Sequence, residues 1–368
     1  MAARNRGTAR HVLTKLTGLG KQTVHEVDRN RNPSVVIPVR TLSNVSFSKR
    51  RSIIELGRQK QKRFFCTVAM ARKFMQTHLV AAELKELIES GKTTSIRDLY
   101  YMMKHTIGDS KQNTFEEQEE SDPIIEDLEV TIDSLREELN LFASNRGSIA
   151  GELTIVDGGD TVDLRRVGTA GHAIPSIVEP DVIEFRRCDA RFVLLVEKDA
   201  VWRRLNEDKF WRKHRCILLH GQGMAPRGVR RLLYRMVNEL ELPLYVLVDN
   251  DPWGFYIYSV VKQGSINLAY ESIRMAVPQA RFLGLSSFDQ EAWELPANVT
   301  MKLKDQDERR AREMLAYPWF QKKEWQQEIQ EMLRRGVKLE IEALSRKGIS
   351  FISEEYIPRK IRDQDFLV

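Results

Sequence analysis

The chain has 368 residues, 42% of them hydrophobic and 30% charged, and a formal net charge of +6, which implies two or three folded units with interior enough for a substantial core. Its longest apolar runs, FVLLV and LYVLV, are strand-length and leave no uncharged stretch of about 18 residues to span a bilayer, while the basic start MAARNRGTARHVL lacks the apolar centre and cleavage site of a secretory signal. The expectation is a soluble protein of the cytoplasm, and the three scattered cysteines, Cys66, Cys188 and Cys216, read as reduced thiols rather than a disulfide framework or zinc site.

The charge is unevenly spread. Residues 1–63 carry 15 Lys/Arg against 3 Asp/Glu, and the rest of the chain 43 against 49, so a +12 segment precedes a −6 remainder. Such a segment suits a nucleic acid or an acidic partner, and it suits a solvated tail equally well.

Residues 1–65, with a short apolar run at Val35-Val36-Ile37 between two prolines and a basic run at Lys49-Arg50-Arg51, read as an extended arm. From Cys66 the apolar residues Ala69, Phe74, Met75, Leu79, Leu84, Leu87 and Ile88 recur at helical spacing up to Gly91, which suits a left-handed helix end. Ser95, with Asp98 three residues on, has the pattern of a capping box and opens a second helix. Asp122-Pro123 opens a third, with a core stripe of Ile124, Ile125, Leu128, Ile132, Leu135 and Leu139. Beyond it LNLFAS and SIAGELTIV flank a turn at Asn145-Arg146-Gly147 and read as a β-hairpin packed on those helices. Three helices and a hairpin make a winged-helix pattern over 66–157; a helical domain with an incidental hairpin is the other reading. The Gly- and Pro-rich stretch 158–185 reads as a connection.

From Arg191 strands and helices alternate: RFVLLVE, RCILLHGQG, a helix over about 227–240, LYVLVDND, a helix from near Trp253, and RFLGL near Leu283. Continuous apolar strands separated by helices predict a parallel sheet covered on both faces. The charged, amphipathic tail beyond Asp305 is expected to pack through Trp319, Trp325, Met332 and Leu333.

Two features carry chemistry. In the second helix Ile96, Leu99, Tyr100 and Met103 form one apolar stripe, whereas Arg97, Tyr101 and His105 follow i, i+4, i+8 on another side. Tyr100 should therefore face the core and Tyr101 the solvent. A phenol is a weak nucleophile at neutral pH and needs a cation nearby, which Arg97 one turn away can supply. Taken alone, an ordinary amphipathic helix explains the same pattern. The second feature is acidic: Glu197 follows the run Val193–Val196, and Asp249 and Asp251 follow Tyr245–Val248. Carboxylates at the carboxyl ends of parallel strands suit Mg²⁺ and phosphoryl transfer; the competing reading makes them helix caps. Gly221-Gln222-Gly223, followed by Arg227, Arg230 and Arg231, is either a phosphate-binding loop or a tight turn with a solvated helix face. His172, His214 and His220 lack metal-ligand spacing, and Glu116–Glu120 reads as a solvated loop.

SIRDLYY, VLLVEKDA, GQGMAPRGVRRLL, LYVLVDNDPWG, YPWF and EEYIP, in this order, resemble the DNA-cleaving chain of DNA topoisomerase VI, its A subunit, in a family related to the meiotic double-strand-break protein of eukaryotes. The resemblance implies an α/β plus α+β fold: a winged helix of the catabolite-activator type followed by a Rossmann-like Toprim domain over 186–368 with a helical extension. It implies Tyr101 as the nucleophile that becomes joined to a DNA 5′ phosphate, Arg97 as its companion, and Glu197, Asp249 and Asp251 as ligands of Mg²⁺, with Glu197 also moving a proton at the 3′ hydroxyl. It further implies a homodimer in which each tyrosine works with the partner's Toprim site, cutting double-stranded DNA for duplex passage and supercoil relaxation. The chain has no G-x-x-x-x-G-K-[ST] pattern, so ATP is expected on a separate GHKL-type B subunit in an A₂B₂ assembly, nucleoid-associated and of archaeal origin. A meiotic-type breaker without strand passage, a noncatalytic DNA-binding protein, and a Toprim nuclease or primase are the rival readings.

Overall fold

A computed structural model describes residues 6–368 and divides the chain into two units, one holding the chain up to Asn44 with Gly57–Ser144, the other Val45–Leu56 with Asn145–Val368. No helix among the described residues is long and apolar enough to cross a membrane.

The first unit opens with α1 (Arg6–Asp28). Ala9, Val12, Leu13, Leu16 and Leu19 recur at helical spacing and pack into one core with residues of the later helices. The chain here is therefore not an extended arm. Arg10 and Lys21 are exposed on a helix whose other side is apolar, and high net charge masked that stripe. β1 (Ser34–Pro38) follows and buries Val35 and Ile37. β2 (Val45–Ser48) and β3 (Ile53–Leu56) pair antiparallel as a hairpin that belongs to the second unit, with Ile54 in its core. β4 (Lys60–Phe64) then returns to pair antiparallel with β1.

α2 (Val68–Ser90) buries Phe74, Val80, Leu84, Leu87 and Ile88 and closes on Gly91, whose φ of 65° lets the cap amides reach the Ile88 and Leu87 carbonyls. β5 (Thr94–Ser95) leads into α3 (Ile96–Met103), and α4 (Asp122–Thr131) starts at Asp122-Pro123 as expected. α4 is shorter than its apolar stripe. Asp133 adopts a positive φ of 47° and interrupts it, and a separate turn at Arg136–Leu139 carries Leu139 back to the same core.

The expected hairpin after Leu139 does not form. β6 (Leu141–Phe142) pairs parallel with β5 in the first unit, whereas β7 (Ser148–Gly151) and β8 (Leu153–Asp157) enter the second. β6 and β7 find hydrogen-bond partners far away in sequence, which local patterning does not reveal, while β8 pairs onward with the strand that follows it. Gly151 marks the change of direction: with φ 141° it lies so near the Cys216 carbonyl that a Cβ would sit 2.4 Å from that oxygen. The stretch read as a connection is likewise structured. β9 (Asp160–Asp163) and β11 (Ile183–Cys188) flank β8 in a three-stranded antiparallel sheet, and β10 (His172–Ala173) pairs with β7.

The second unit is built on a six-stranded sheet in the order β10-β7-β13-β12-β14-β15, where β12 is Phe192–Val196, β13 Cys216–His220, β14 Leu244–Leu247 and β15 Arg281–Phe282. β12 runs parallel to both β13 and β14, and β15 parallel to β14, as the alternation predicts. Between strands lie α5 (Asp199–Glu207), α6 (Phe210–His214), α7 (Arg227–Glu239) and α8 (Pro252–Gln263). Alternate strand residues supply two cores: Leu195 and Val246 join Leu233 and Phe255, while Leu194 and Leu247 join Trp202 and Leu205. Two further helices, Asp305–Leu315 and Lys323–Arg335, pack through Met314, Trp325, Ile329 and Met332, with Trp319 buried between them in the chain.

Candidate active site

In the first unit Ser95 caps α3 as expected, its hydroxyl oxygen accepting from the Asp98 amide, but the reciprocal half of a capping box is replaced: the Asp98 carboxylate accepts from the Ser95 hydroxyl rather than from its backbone amide. Leu99, Tyr100 and Met103 are buried, Arg97 is exposed, and Tyr101 is 58% exposed. The neighbouring phenols are thus separated in role. The Tyr100 hydroxyl donates to the Glu116 carbonyl at 2.8 Å and accepts from Lys104 at 2.7 Å. Tyr101 keeps only ring contact with Tyr100, at 5.0 Å between centroids, and its hydroxyl makes no hydrogen bond among the described residues. α3 ends at Met103, so His105 lies beyond the helix.

In the second unit Glu197 directly follows β12, and its amide bonds to the Leu247 carbonyl at the end of β14. Asp249 and Asp251 follow β14 on the same edge; the Asp249 amide lies 3.4 Å from the Glu197 carboxylate. The turn is tight. A Cβ on Gly254 would come 2.5 Å from the Asp249 carbonyl, so only glycine lets the first turn of α8 lie against this loop. Asp251 is the N-cap of α8, accepting from the Gly254 amide at 2.6 Å. For that residue the helix-cap reading holds alongside any other role.

Electrostatically the cluster is short of positive charge. Burial, then the Asp249 and Asp251 charges, push the Glu197 carboxyl up to about 7. Burial pushes Asp249 up to about 6, against the opposing hydrogen bonds from Lys198 and the Ile341 amide. Burial also raises Asp251, countered by the Gly254 amide. Lys198, adjacent to Glu197 in the E-K-D motif, was not singled out by sequence reasoning. Its ammonium sits 2.8 Å from Asp249, 2.7 Å from Glu342 and 3.2 Å from Glu340. Glu328 was also missed: it accepts from Asn250, Ser286 and the Ser287 amide behind the acidic turn. Nothing local in EIQEM marked it, because its partners lie some 40 to 80 residues away.

Among the described residues no three His, Cys, Asp or Glu side chains converge closely enough to ligate one ion; Asp249 is engaged by Lys198 and Ile341, and Asp251 by Gly254. The donor set nonetheless fits a hard divalent cation, being carboxylate oxygen throughout, largely buried, and destabilised by mutual repulsion that such an ion would relieve.

The arginines after Gly221-Gln222-Gly223 are engaged within the second unit and do not lie on a solvated helix face. Arg227 pairs with Glu271 and Arg231 with Glu179, while Arg230 is 5% exposed, so all three serve packing inside the second unit. His220 is buried against Trp202 and His172 pairs with Asp157.

Family models match in three consecutive blocks. They are the type IIB DNA topoisomerase model over residues 72–141, the all-beta domain of the DNA topoisomerase VI alpha chain over 145–189, and the Toprim domain shared by the topoisomerase 6 A chain and Spo11 over 192–361. With the parallel sheet and its acidic edge, these matches define a mixed α/β protein carrying a Toprim domain. Among similar proteins, the A chain of type 2 DNA topoisomerase 6 from Pyrococcus abyssi is 44% identical over 97% of this chain and 95% of its own length. Its counterpart from Saccharolobus shibatae is 42% identical over 90% and 89%, and the A3 chain of DNA topoisomerase 6 from Oryza sativa is 33% identical over 97% and 78%. The chain belongs to the family of DNA-cleaving A chains of type IIB DNA topoisomerases. It is accordingly the DNA-cleaving component of a type II topoisomerase, and the 145–189 match coincides with the antiparallel strands found where a connection was expected.

Proposed function

We propose that Tyr101 is the nucleophile that cuts double-stranded DNA, with Arg97 beside it, and that Glu197, Asp249 and Asp251 hold Mg²⁺ for the reaction. The supporting observation is the division between adjacent phenols, Tyr100 buried with its hydroxyl committed and Tyr101 exposed one turn from Arg97. In the forward step the exposed Tyr101 phenol gives its proton to solvent, and its oxygen attacks a backbone phosphorus and forms a 5′-phosphotyrosyl bond. The P–O bond to the 3′ oxygen breaks, its electron pair stays on that oxygen, and a proton completes the 3′ hydroxyl. Arg97 offsets the phenolate charge and the charge building on the phosphate. Glu197, at the carboxyl end of its strand, is in this reading the group that passes the proton to and from the 3′ oxygen. Glu197, Asp249 and Asp251 would hold Mg²⁺, which would supply positive charge to the phosphate oxygens. Because the phosphotyrosine conserves the energy of the broken bond, the 3′ hydroxyl reseals the strand by the reverse reaction.

In this reading the helices between 66 and 144 are the helical part of a winged helix presenting Tyr101, and residues 186–368 work as the Toprim unit. Two copies form the cutting dimer, each tyrosine serving the partner's acidic cluster, so that two cuts make one double-strand break. ATP binds a separate GHKL-type B subunit, in line with the absence of a P-loop pattern from this chain, and the A₂B₂ assembly passes one duplex through another in the nucleoid of the cytoplasm.

The test is denaturing detection of protein linked to DNA 5′ ends with Mg²⁺, ATP and the B partner. Tyr101→Phe is expected to abolish the adduct and Tyr100→Phe to keep it. Wild-type adduct from Tyr101→Phe would overturn the assignment.

A further inference from the structure

We propose that Lys198 is a built-in cation that occupies Asp249 until a divalent metal takes its place, and that Glu340 and Glu342 hold the displaced ammonium. This rests on reading Glu197, Asp249 and Asp251 as metal ligands, and it concerns what this chain does before and during metal entry.

The contacts of Asp249 divide between two sources. One carboxylate oxygen accepts from the Ile341 amide at 2.8 Å, and the other faces the Lys198 ammonium at 2.8 Å. Ile341 lies between Glu340 and Glu342, the other two carboxylates on the same lysine. A single short segment therefore fixes Asp249 from one side and from the other already shares Lys198 with it through two further carboxylates, which remain when Asp249 turns to a metal. The exposures differ in the sense such an exchange requires: the Asp249 side chain is 7% exposed, Lys198 24%, and Glu340 and Glu342 49% and 46%. The buried carboxylate is the one that needs a compensating charge, and the exposed pair is where an ammonium keeps part of its hydration.

A lysine suits this duty. Its charge is compact and its four-carbon stem lets it swing without moving the backbone. Without metal it spares Asp249 the cost of an unpaired buried charge. A divalent ion between Glu197, Asp249 and Asp251 would bring two positive charges against the ammonium, and the attraction of Glu340 and Glu342 gives it somewhere to go. The exchange also accounts for a cluster that is anionic and yet not gathered at ligand distance around one point: Asp249 is turned toward its own counter-ion.

The experiment uses the full chain with Mn²⁺ alone, following bound and free ion by electron paramagnetic resonance. Asp249→Asn is the reference that shows which bound Mn²⁺ belongs to this site. Lys198→Met and Lys198→Gln should bind that Mn²⁺ at least about fivefold more tightly than wild type, the lower end of ordinary coupling between two linked binding events. Their metal-free melting temperature should fall and should recover more than that of wild type on Mn²⁺ addition. The double change Glu340→Gln/Glu342→Gln should weaken Mn²⁺ binding more in the wild-type background than in Lys198→Met, because only with Lys198 present does it tighten a competitor's hold on Asp249. Unchanged or weaker Mn²⁺ binding in both Lys198 variants, or equal effects of the double change in the two backgrounds, would overturn the exchange. Mn²⁺ binding that is indifferent to Asp249→Asn would instead sink the ligand assignment, and the exchange with it.

Discussion

The side-chain amide of Asn250 donates to the Glu328 carboxylate 3.1 Å away, joining the turn between Asp249 and Asp251 to the helix Lys323–Arg335. Asn250 is also bridged through its backbone to Leu339 in both directions, at 2.9 and 3.1 Å. The acidic turn is thus held from behind by a part of the chain that carries none of the motif residues.

Glu328 is 2% exposed and accepts from Asn250, Ser286 and the Ser287 amide. Glu328→Ala would leave the Ser287 amide and an N–H of Asn250 buried without this acceptor and is expected to cost about 2–4 kcal/mol, with Glu328→Gln losing less. Urea unfolding measures the cost. DNA-adduct yield should fall in the same order, since the turn that aims Asp249 and Asp251 loosens.

In the metal-free protein Glu197 should make stability depend on pH. Between its ordinary value of 4.5 and its folded value of about 7, the native state keeps a proton that the unfolded chain has released. Stability from this group is complete below that window and is lost as pH rises through it. Thermal melts in chelator should show a larger fall from pH 5 to pH 7.5 for wild type than for Glu197→Gln. Added Mg²⁺ should stabilise more at pH 8 than at pH 6, because its carboxylate ligands must first lose their protons. Equal pH profiles for the two proteins would contradict the shift.

The N-terminal segment should behave as an integral part of the first unit. Asp127, 5% exposed, accepts from Arg40 at 2.8 Å and from Arg63, while Glu126 takes another Arg40 nitrogen at 2.5 Å. Asp127→Ala leaves the largely buried Arg63 guanidinium without a carboxylate and Arg40 with Glu126 alone, and should cost about 3 kcal/mol in denaturant unfolding. A cost near zero would restore the picture of a loosely attached arm.

Tyr100→Phe removes a hydroxyl that bonds Glu116 and receives Lys104. The expected loss is about 1 kcal/mol of stability, with adduct formation retained. Any larger effect on cleavage than on stability would mean that Tyr100 takes part in the chemistry.

The parts legible in the sequence were those whose signal is local. The apolar stripe Leu99, Tyr100 and Met103 separated one tyrosine from the other, and the runs before Glu197 and Asp249 were long and apolar enough to mark strands buried on both faces. The N-terminal helix escaped because its apolar positions are diluted among lysines and arginines, and the hairpin after Leu139 was misread because β6 and β7 bond to strands elsewhere in the chain.

By itself, then, the chain determined which residues could do chemistry and at which strand and helix ends they stand, because hydrophobic periodicity and capping act over a few neighbouring residues. Only the tertiary structure decided their partners: Lys198 with Glu342 across 144 positions, Asn250 with Glu328 across 78, and the β2–β3 hairpin with the second unit. Those pairings follow from where burial leaves a charge or a hydrogen-bonding group unsatisfied, and burial is a property of the folded chain.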